Sequence, residues 1–267
     1  MTTSRIDGLV DDLVAEFETL EAIVSVLTDE QLQTPTPSEG WAVVDQLSHL
    51  AGFDEAAGLA LESPAQFLAE LDVMIRDGDD PIARYVAQGR AMAPSEVVAW
   101  WSEAHGDLVI AARAGDPTQR VPWFGPPMSA MSFITARLME LWAHGQDIRD
   151  ALGLAPSISS RLRHVAHIGV GAMPYSFMVR ELAPPEVPID VVLRAADGEE
   201  DYRWGSGDAD DRVVGDVLDF CLVVTQRRHI QDTALEIVGD AATQWMSIAQ
   251  AFAGGAGAGR APRDDRG

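Results

Sequence analysis

The strongest constraint on the fold of this chain is a long helical repeat near its beginning. Over residues 6–27 apolar side chains recur every three or four positions, the spacing of one buried face of an amphipathic helix. The same spacing returns over 41–61 and 95–114, and a run of helix-forming residues covers 137–150. We therefore expect four main helices with long crossovers, which is typical of a helical bundle.

The second half of the chain has a different pattern, which mixes helices with short β-like runs. Helices are predicted at 160–180, 214–225 and 241–252, and strands at 189–194, 201–204 and 234–238, with a hairpin turn at 195–198. The fold class is thus α+β, with a four-helix bundle over 1–155 and a smaller α+β domain over 156–254. The last residues, 255–267, are rich in glycine and charge and are expected to form a disordered tail.

Composition excludes several classes of function. The chain has 267 residues and a formal charge of −23, so phosphate backbones and anionic lipid surfaces are poor partners. Its single cysteine, Cys221, cannot form an internal disulfide. The sequence has no apolar run of membrane-spanning length and no export segment at its start. We expect a cytoplasmic protein that binds neither nucleic acid nor membrane.

A candidate metal site lies in the fourth predicted helix. Glu140 and His144 are four residues apart, so their side chains stack on one helix face and can bind the same cation. His49, in the second helix, is the obvious third ligand. Two histidines and one carboxylate suit Zn²⁺, or Fe²⁺ with more open positions. Asp45 and Asp147 are candidates for orienting the imidazoles from outside the ligand set.

Simpler interpretations apply to the same kinds of residue. A glutamate four residues before a histidine is also common on a solvated helix face. The other histidines are expected on the surface or in the core, and four of the seven tryptophans in packing; these residues are His105, His164, His167, His229, Trp41, Trp101, Trp142 and Trp245. Arg227 and Arg228 can cap a helix, face solvent or bind a carboxylate.

Three segments together resemble a known family. GWAVVDQLSHLAGFDE, VPWFGPPMS and MELWAHGQDIRDALG, in this order, are similar to the N-terminal domain of the mycothiol-dependent maleylpyruvate isomerase family, a branch of the DinB-like metal-binding four-helix bundles. The later segments VPIDVVLRAADG and VGDVLDFCLVVTQRRH resemble the smaller α+β domain of that family. The resemblance covers nearly the whole chain.

The resemblance implies a divalent metal, usually zinc, held by His49, Glu140 and His144. It also implies a cationic residue of the C-terminal domain that faces the cavity and contacts the cosubstrate; Arg227 is the closest match for this catalytic position, with Arg228 as a second candidate. The cosubstrate would be mycothiol, a low-molecular-weight thiol of actinobacteria, activated as a metal-bound thiolate.

The expected function is S-transfer to, or cis-trans isomerisation of, a small electrophile by a monomer or homodimer. Two alternatives remain open at this level. One is a metal-binding stress protein without turnover, and the other is a protein that binds a lipid or another small apolar ligand.

Overall fold

The computed structural model describes residues 2–198 and 200–263, with side chains from residue 6 onward. The chain divides after Pro156 into two compact units. The first unit is almost entirely helical and the second mixes helices with a sheet, which confirms the α+β class with a helical N-terminal part. Among the described helices, none is long and apolar enough to cross a membrane.

Four long helices form the body of the first unit, and shorter helices connect them. In chain order the helices are α1 (Thr2–Val24), α2 (Asp29–Leu32), α3 (Val43–Glu62), α4 (Pro64–Asp77), α5 (Pro81–Arg90), α6 (Pro94–Ala114) and α7 (Ala130–Ala151). The glycine- and proline-rich segment before α7 contains a minimal antiparallel hairpin, formed by β1 (Arg120–Val121) and β2 (Met128–Ser129).

Helix α3 is the centre of the first unit. It packs against α4, α5, α6 and α7, and most of its length is buried. Such burial on several sides requires apolar residues all around the helix, and Leu47 and Leu50 are both fully buried. Helix α5 approaches closely because Gly52 has no side chain; a Cβ atom there would lie 2.1 Å from Cγ of Tyr85.

The second unit consists of a four-stranded sheet with helices packed against it. Its elements are α8 (Leu162–Gly171), α9 (Met173–Met178), β3 (Ile189–Arg194), β4 (Tyr202–Trp204), β5 (Asp211–Asp216), α10 (Val217–Val224), a 3₁₀ turn (Ile230–Asp232), β6 (Glu236–Val238) and α11 (Asp240–Ile248). The strand order is β4-β3-β5-β6, in which β3 and β5 are parallel and the other two pairs are antiparallel.

Two boundaries in the second unit differ from the sequence prediction. The helix predicted over 214–225 begins only at Val217, because the residues before it form strand β5, which the prediction missed. The helix predicted over 160–180 is two helices, α8 and α9. Pro174 lies in the first turn of α9, where its missing N–H costs nothing but where it could not continue α8.

Residues 255–263 have no helix or strand, but they are hydrogen-bonded to the second unit. The Gln250 side chain donates to the carbonyl of Gly255 (2.9 Å) and accepts from the N–H of Gly257 (2.9 Å). Arg180 donates to the carbonyl of Gly257 at 2.8 Å. The predicted disordered tail also includes 264–267, which lie outside the described residues.

Candidate metal centre

Helix α7 carries two of the predicted ligands one turn apart. The Nε2 atom of His144 lies 3.3 Å from Oε2 of Glu140, and the side chain of Glu140 is 22% exposed. A carboxylate oxygen and an imidazole nitrogen lone pair repel each other at this distance. The contact is favourable only if a cation, either a proton or a metal ion, lies between the two atoms.

Helix α3 brings His49 to the same place. The ring centroids of His49 and His144 are 4.3 Å apart. One ligand atom from each of His49, Glu140 and His144 can be chosen so that all three lie within 4.8 Å of one another. Metal-ligand bonds of about 2.0–2.2 Å place the ligand atoms of a tetrahedral ion roughly 3.3–3.6 Å apart, which is inside this limit. The three side chains can therefore hold a divalent metal after small side-chain adjustments, and their nitrogen and oxygen atoms suit zinc or iron.

The two aspartates predicted to orient the imidazoles have other partners in the structure. Asp45 accepts two hydrogen bonds from Arg90, at 2.8 and 3.0 Å, and one from the N–H of Ala42. Asp147 accepts a hydrogen bond from the hydroxyl of Ser38 at 3.2 Å. The Nδ1 atom of His144 instead contacts Oε1 of Gln46 at 2.5 Å. Gln46 was not a candidate from the sequence, although it lies three residues before His49 on a mostly apolar helix.

Aromatic rings surround the two histidines. The ring of Trp41 lies 5.5 Å from that of His49 and 6.2 Å from that of His144, nearly parallel to the latter. The ring of Phe53 lies 4.6 Å from that of His49 and also contacts Trp123 and Phe124. Trp41 was expected in packing, and the rings against which it packs are those of both ligand candidates. These rings lower the local dielectric and strengthen electrostatic interactions within the site.

A buried charged cluster lies on the same helices. Arg137 of α7 donates through Nε and Nη2 to Oδ1 of Asp54, at 3.1 and 2.7 Å. The Nδ1 atom of His105 lies 3.2 Å from the other oxygen of Asp54, so this histidine is buried and bound within the core. Burial by itself would raise the pKa of Asp54, but the Arg137 charge and the His105 contacts outweigh it and hold the pKa below its ordinary value. Arg137 therefore forms a buried ion pair with Asp54.

The remaining candidate residues belong to the second unit. Arg227 and Arg228 follow the end of α10 and are half-buried. Arg227 donates to the carbonyl of Thr225 at 2.6 Å, and Arg228 donates to the carbonyl of Arg227 at 2.7 Å. Gln226, between them and the helix, has a left-handed backbone with φ of 59°. The roles of Arg227 and Arg228 at the metal site stay predictions.

Comparison with solved structures shows which fold this is. The crystal structure of the mycothiol-dependent maleylpyruvate isomerase matches with a TM-score of 0.58 at 14% identity, over 83% of this chain and 89% of that one. The crystal structure of a histidine-to-alanine mutant of this isomerase matches with a TM-score of 0.57 at 13% identity, over the same shares. At this level of identity the likeness concerns the fold.

Sequence comparison gives the family. Two proteins of Mycobacterium tuberculosis, from the strains CDC 1551 / Oshkosh and ATCC 25618 / H37Rv and both named as uncharacterized, are 40% identical to this chain over 251 residues. The match covers 94% of this chain and 97% of each relative. Residues 13–149 match the mycothiol maleylpyruvate isomerase N-terminal domain, and this range contains His49, Glu140 and His144. The chain therefore belongs to the mycothiol maleylpyruvate isomerase N-terminal domain family.

Proposed function

We propose that the protein is a mycothiol-dependent enzyme that uses a divalent metal, most simply Zn²⁺, to activate the thiol for reaction with a small electrophile. The observation that carries the proposal is the group formed by His49, Glu140 and His144, which offers two imidazoles and one carboxylate within 4.8 Å. Family membership supports mycothiol as the thiol, since the solved relative of the same fold is named for its dependence on it.

The ligand set fits a site that takes a thiol. When bound, a divalent metal lowers the pKa of a coordinated thiol, which is about 8.5 in the free state. Three protein ligands leave a further position open in a tetrahedral site. With Glu140 as the one anionic side chain among the three, the site keeps a net positive charge that favours an incoming anionic sulfur. Trp41 and Phe53 limit the access of water from the sides on which they pack.

Two reactions are compatible with an activated sulfur. Addition to an electrophilic double bond, followed by rotation and elimination, gives cis-trans isomerisation and returns the thiol. Displacement of a leaving group keeps the carbon-sulfur bond and gives S-transfer. The name of the solved relative favours isomerisation. Arg137 is paired with Asp54 and Arg90 with Asp45, so neither guanidinium group is available to bind a carboxylate of the substrate. This favours S-transfer to an electrophile that carries less charge than a dicarboxylate.

Arg227 and Arg228 complete the proposal. We assign them to binding an anionic group of the thiol or of the electrophile, with Arg227 acting in catalysis. Arg227→Ala is then expected to raise the KM of the substrate whose anionic group it binds and to lower kcat. Arg228→Ala should change KM alone.

The test begins with elemental analysis of protein purified without a histidine tag, followed by calorimetry with mycothiol. Turnover is then measured with a haloarene and with a maleyl compound. His49→Ala and Glu140→Ala should abolish thiol-dependent turnover, whereas His167→Ala, at an exposed position in the second unit, should keep it. Unchanged turnover in the first two variants would overturn the proposal. Bound metal without affinity for the thiol would favour a metal-binding protein without turnover, and a co-purified lipid would favour a carrier.

A further inference from the structure

Gln46 is fully buried on α3 and touches the candidate metal centre through His144. We infer that Gln46 is a positioning residue, which holds His144 in the tautomer whose Nε2 lone pair is available to a metal ion. The inference rests on the proposed metal site, but it concerns a residue outside the ligand set and a property of the protein that is measurable without metal.

The hydrogen bonds around Gln46 fix the orientation of its amide. The hydroxyl of Thr36 lies 2.9 Å from the carbonyl oxygen of Trp41, an atom that can only accept, so the hydroxyl proton belongs to this bond. Thr36 Oγ1 also accepts from the N–H of Ser38 at 3.3 Å. The group of Gln46 that lies 3.0 Å from Thr36 Oγ1 must therefore be a donor, which is the amide nitrogen. The amide oxygen consequently faces His144.

The amide oxygen determines which nitrogen of His144 carries the proton. Oε1 of Gln46 only accepts, and it lies 2.5 Å from Nδ1 of His144, so Nδ1 must carry a hydrogen. Neutral imidazole has one N–H, and Nε2 is then left with its lone pair. Nε2 is the atom that faces Glu140 at 3.3 Å, so its lone pair and the carboxylate repel each other until a metal ion enters between them. A metal ligand needs this arrangement, because coordination uses the lone pair.

Gln46 acts against a local alternative. Without an acceptor at Nδ1, His144 would gain a hydrogen bond by placing its proton on Nε2 and donating it to Glu140, its neighbour one turn earlier on α7. This tautomer satisfies both side chains and withdraws both from a metal ion. The amide of Gln46 reverses the preference, because with the proton on Nε2 the lone pair of Nδ1 would face the amide oxygen at 2.5 Å, which is closer than the 3.3 Å between Nε2 and Glu140. The series of hydrogen bonds that joins Trp41, Thr36, Gln46 and His144 thus leaves Nε2 of His144 available to a metal ion.

The first measurement is the tautomer of His144, read from long-range ¹H–¹⁵N correlation spectra of the metal-free protein at a pH where the spectra show one N–H on the ring. We expect the Nδ1–H form in the wild type and the Nε2–H form in Gln46→Met. A wild-type protein with the proton on Nε2 would overturn the inference and leave the proposed metal site untouched.

The second measurement is the affinity for Co²⁺ and Zn²⁺, by competition with a chelator, together with the visible spectrum of the Co²⁺ form. Loss of such an orienting residue weakens metal binding about 10- to 100-fold, which is the change expected for Gln46→Met. Gln46→Glu keeps an acceptor at Nδ1 and should restore affinity. Gln146→Met is the matched control, because Gln146 is a buried glutamine of α7 that bonds to Asp150 at 2.9 Å, and it should leave affinity unchanged.

Thr36→Val gives a separate route if Gln46→Met fails to fold. It frees the amide of Gln46 to rotate, and the loss of one hydrogen bond predicts metal binding about 2- to 10-fold weaker. Wild-type affinity in Gln46→Met, or in Thr36→Val with the tautomer of His144 switched, would overturn the positioning role. A wild-type protein that has the Nδ1–H tautomer but binds neither metal would overturn the proposed function together with the role of Gln46 towards it.

Discussion

The imidazole rings of His49 and His144 lie 4.3 Å apart, although they come from two helices that are distant in the sequence. Two rings held this close by helix packing form a preorganised pair of candidate metal ligands. Binding of an ion would then cause little loss of side-chain conformational entropy, because the side chains are already near their bound positions.

Metal binding should stabilise the first unit and require all three ligand residues. At a free metal concentration 100 times the Kd, binding adds about 2.7 kcal/mol to the free energy of unfolding. We expect a chelator to remove this increment from the wild type and to have no effect on His144→Ala. Denaturant titrations with and without metal check the prediction, and an equal metal effect in both proteins would contradict it.

The buried pair of Arg137 and Asp54 should dominate the electrostatic contribution to stability. Arg137→Met leaves a buried carboxylate without its cation, which costs about 3–5 kcal/mol. The double variant Arg137→Met/Asp54→Asn should recover part of this loss, because the uncompensated charge is gone. Arg113→Met is the control: it breaks an exposed ion pair with Asp11 and should cost less than about 1 kcal/mol. Urea denaturation measures all three, and equal losses for Arg137→Met and Arg113→Met would refute the assignment.

Asp54 should also contribute to the acid limb of the stability curve. Its pKa in the folded state is below the ordinary 3.8, so the unfolded chain binds the proton more tightly. The stabilisation by Asp54 is then complete above the unfolded pKa and is lost as the pH falls through the folded value. Asp54→Asn should show a shallower loss of stability below about pH 4 than the wild type. Denaturation midpoints measured at successive pH values test this, with parallel curves as the contrary result.

Close packing of α5 on α3 predicts opposite effects for two glycine substitutions. A Cβ atom at Gly52 would lie 2.1 Å from the ring of Tyr85, so Gly52→Ala should cost about 1–3 kcal/mol through overpacking. Gly106, on α6, has no atom within 4 Å of its Cβ position, and Gly106→Ala should stabilise the helix by up to about 1 kcal/mol. Thermal unfolding of the two variants distinguishes the cases, and a stable Gly52→Ala would show that Tyr85 can move aside.

Cys221 should take no part in the thiol chemistry. Burial raises the pKa of its thiol well above the ordinary value, and the residue is fully buried on α10. We expect a thiol reagent to label it only after unfolding, and Cys221→Ser to keep mycothiol-dependent turnover. Rapid labelling in native buffer, or loss of turnover in the variant, would show that the protein's own thiol contributes.

Helix periodicity predicted most of the first unit, because apolar spacing of three and four residues directly reflects burial of one helix face. The metal ligands were predicted from the spacing of Glu140 and His144 together with the family resemblance, and MELWAHGQDIRD is indeed part of one continuous helix. Whether the site binds metal stays a prediction.

Contacts between residues that are far apart in the sequence could not be predicted from helical periodicity. Gln46 has one available signal, a polar residue three positions before His49 in an apolar helix, but its partner Thr36 lies in the preceding loop. Asp54 and Arg137 are 83 residues apart, and no local pattern joins them. Strand β5 was missed because its short apolar core, Val213 and Val214, is separated from the apolar residues of α10 by only Gly215 and Asp216.

The candidate metal ligands lie on helices that also supply the aliphatic interior of the first unit. Leu47 and Leu50 flank His49, and Leu138 and Leu141 flank Glu140, and all four leucines are buried. Because α3 and α7 pack against each other in this interior, the volumes of its side chains contribute to the separation of the two helices and so to the distances between the three candidate ligand atoms. A change of one methylene group in that interior can then alter which ion the site prefers, while the histidines and the glutamate stay as they are.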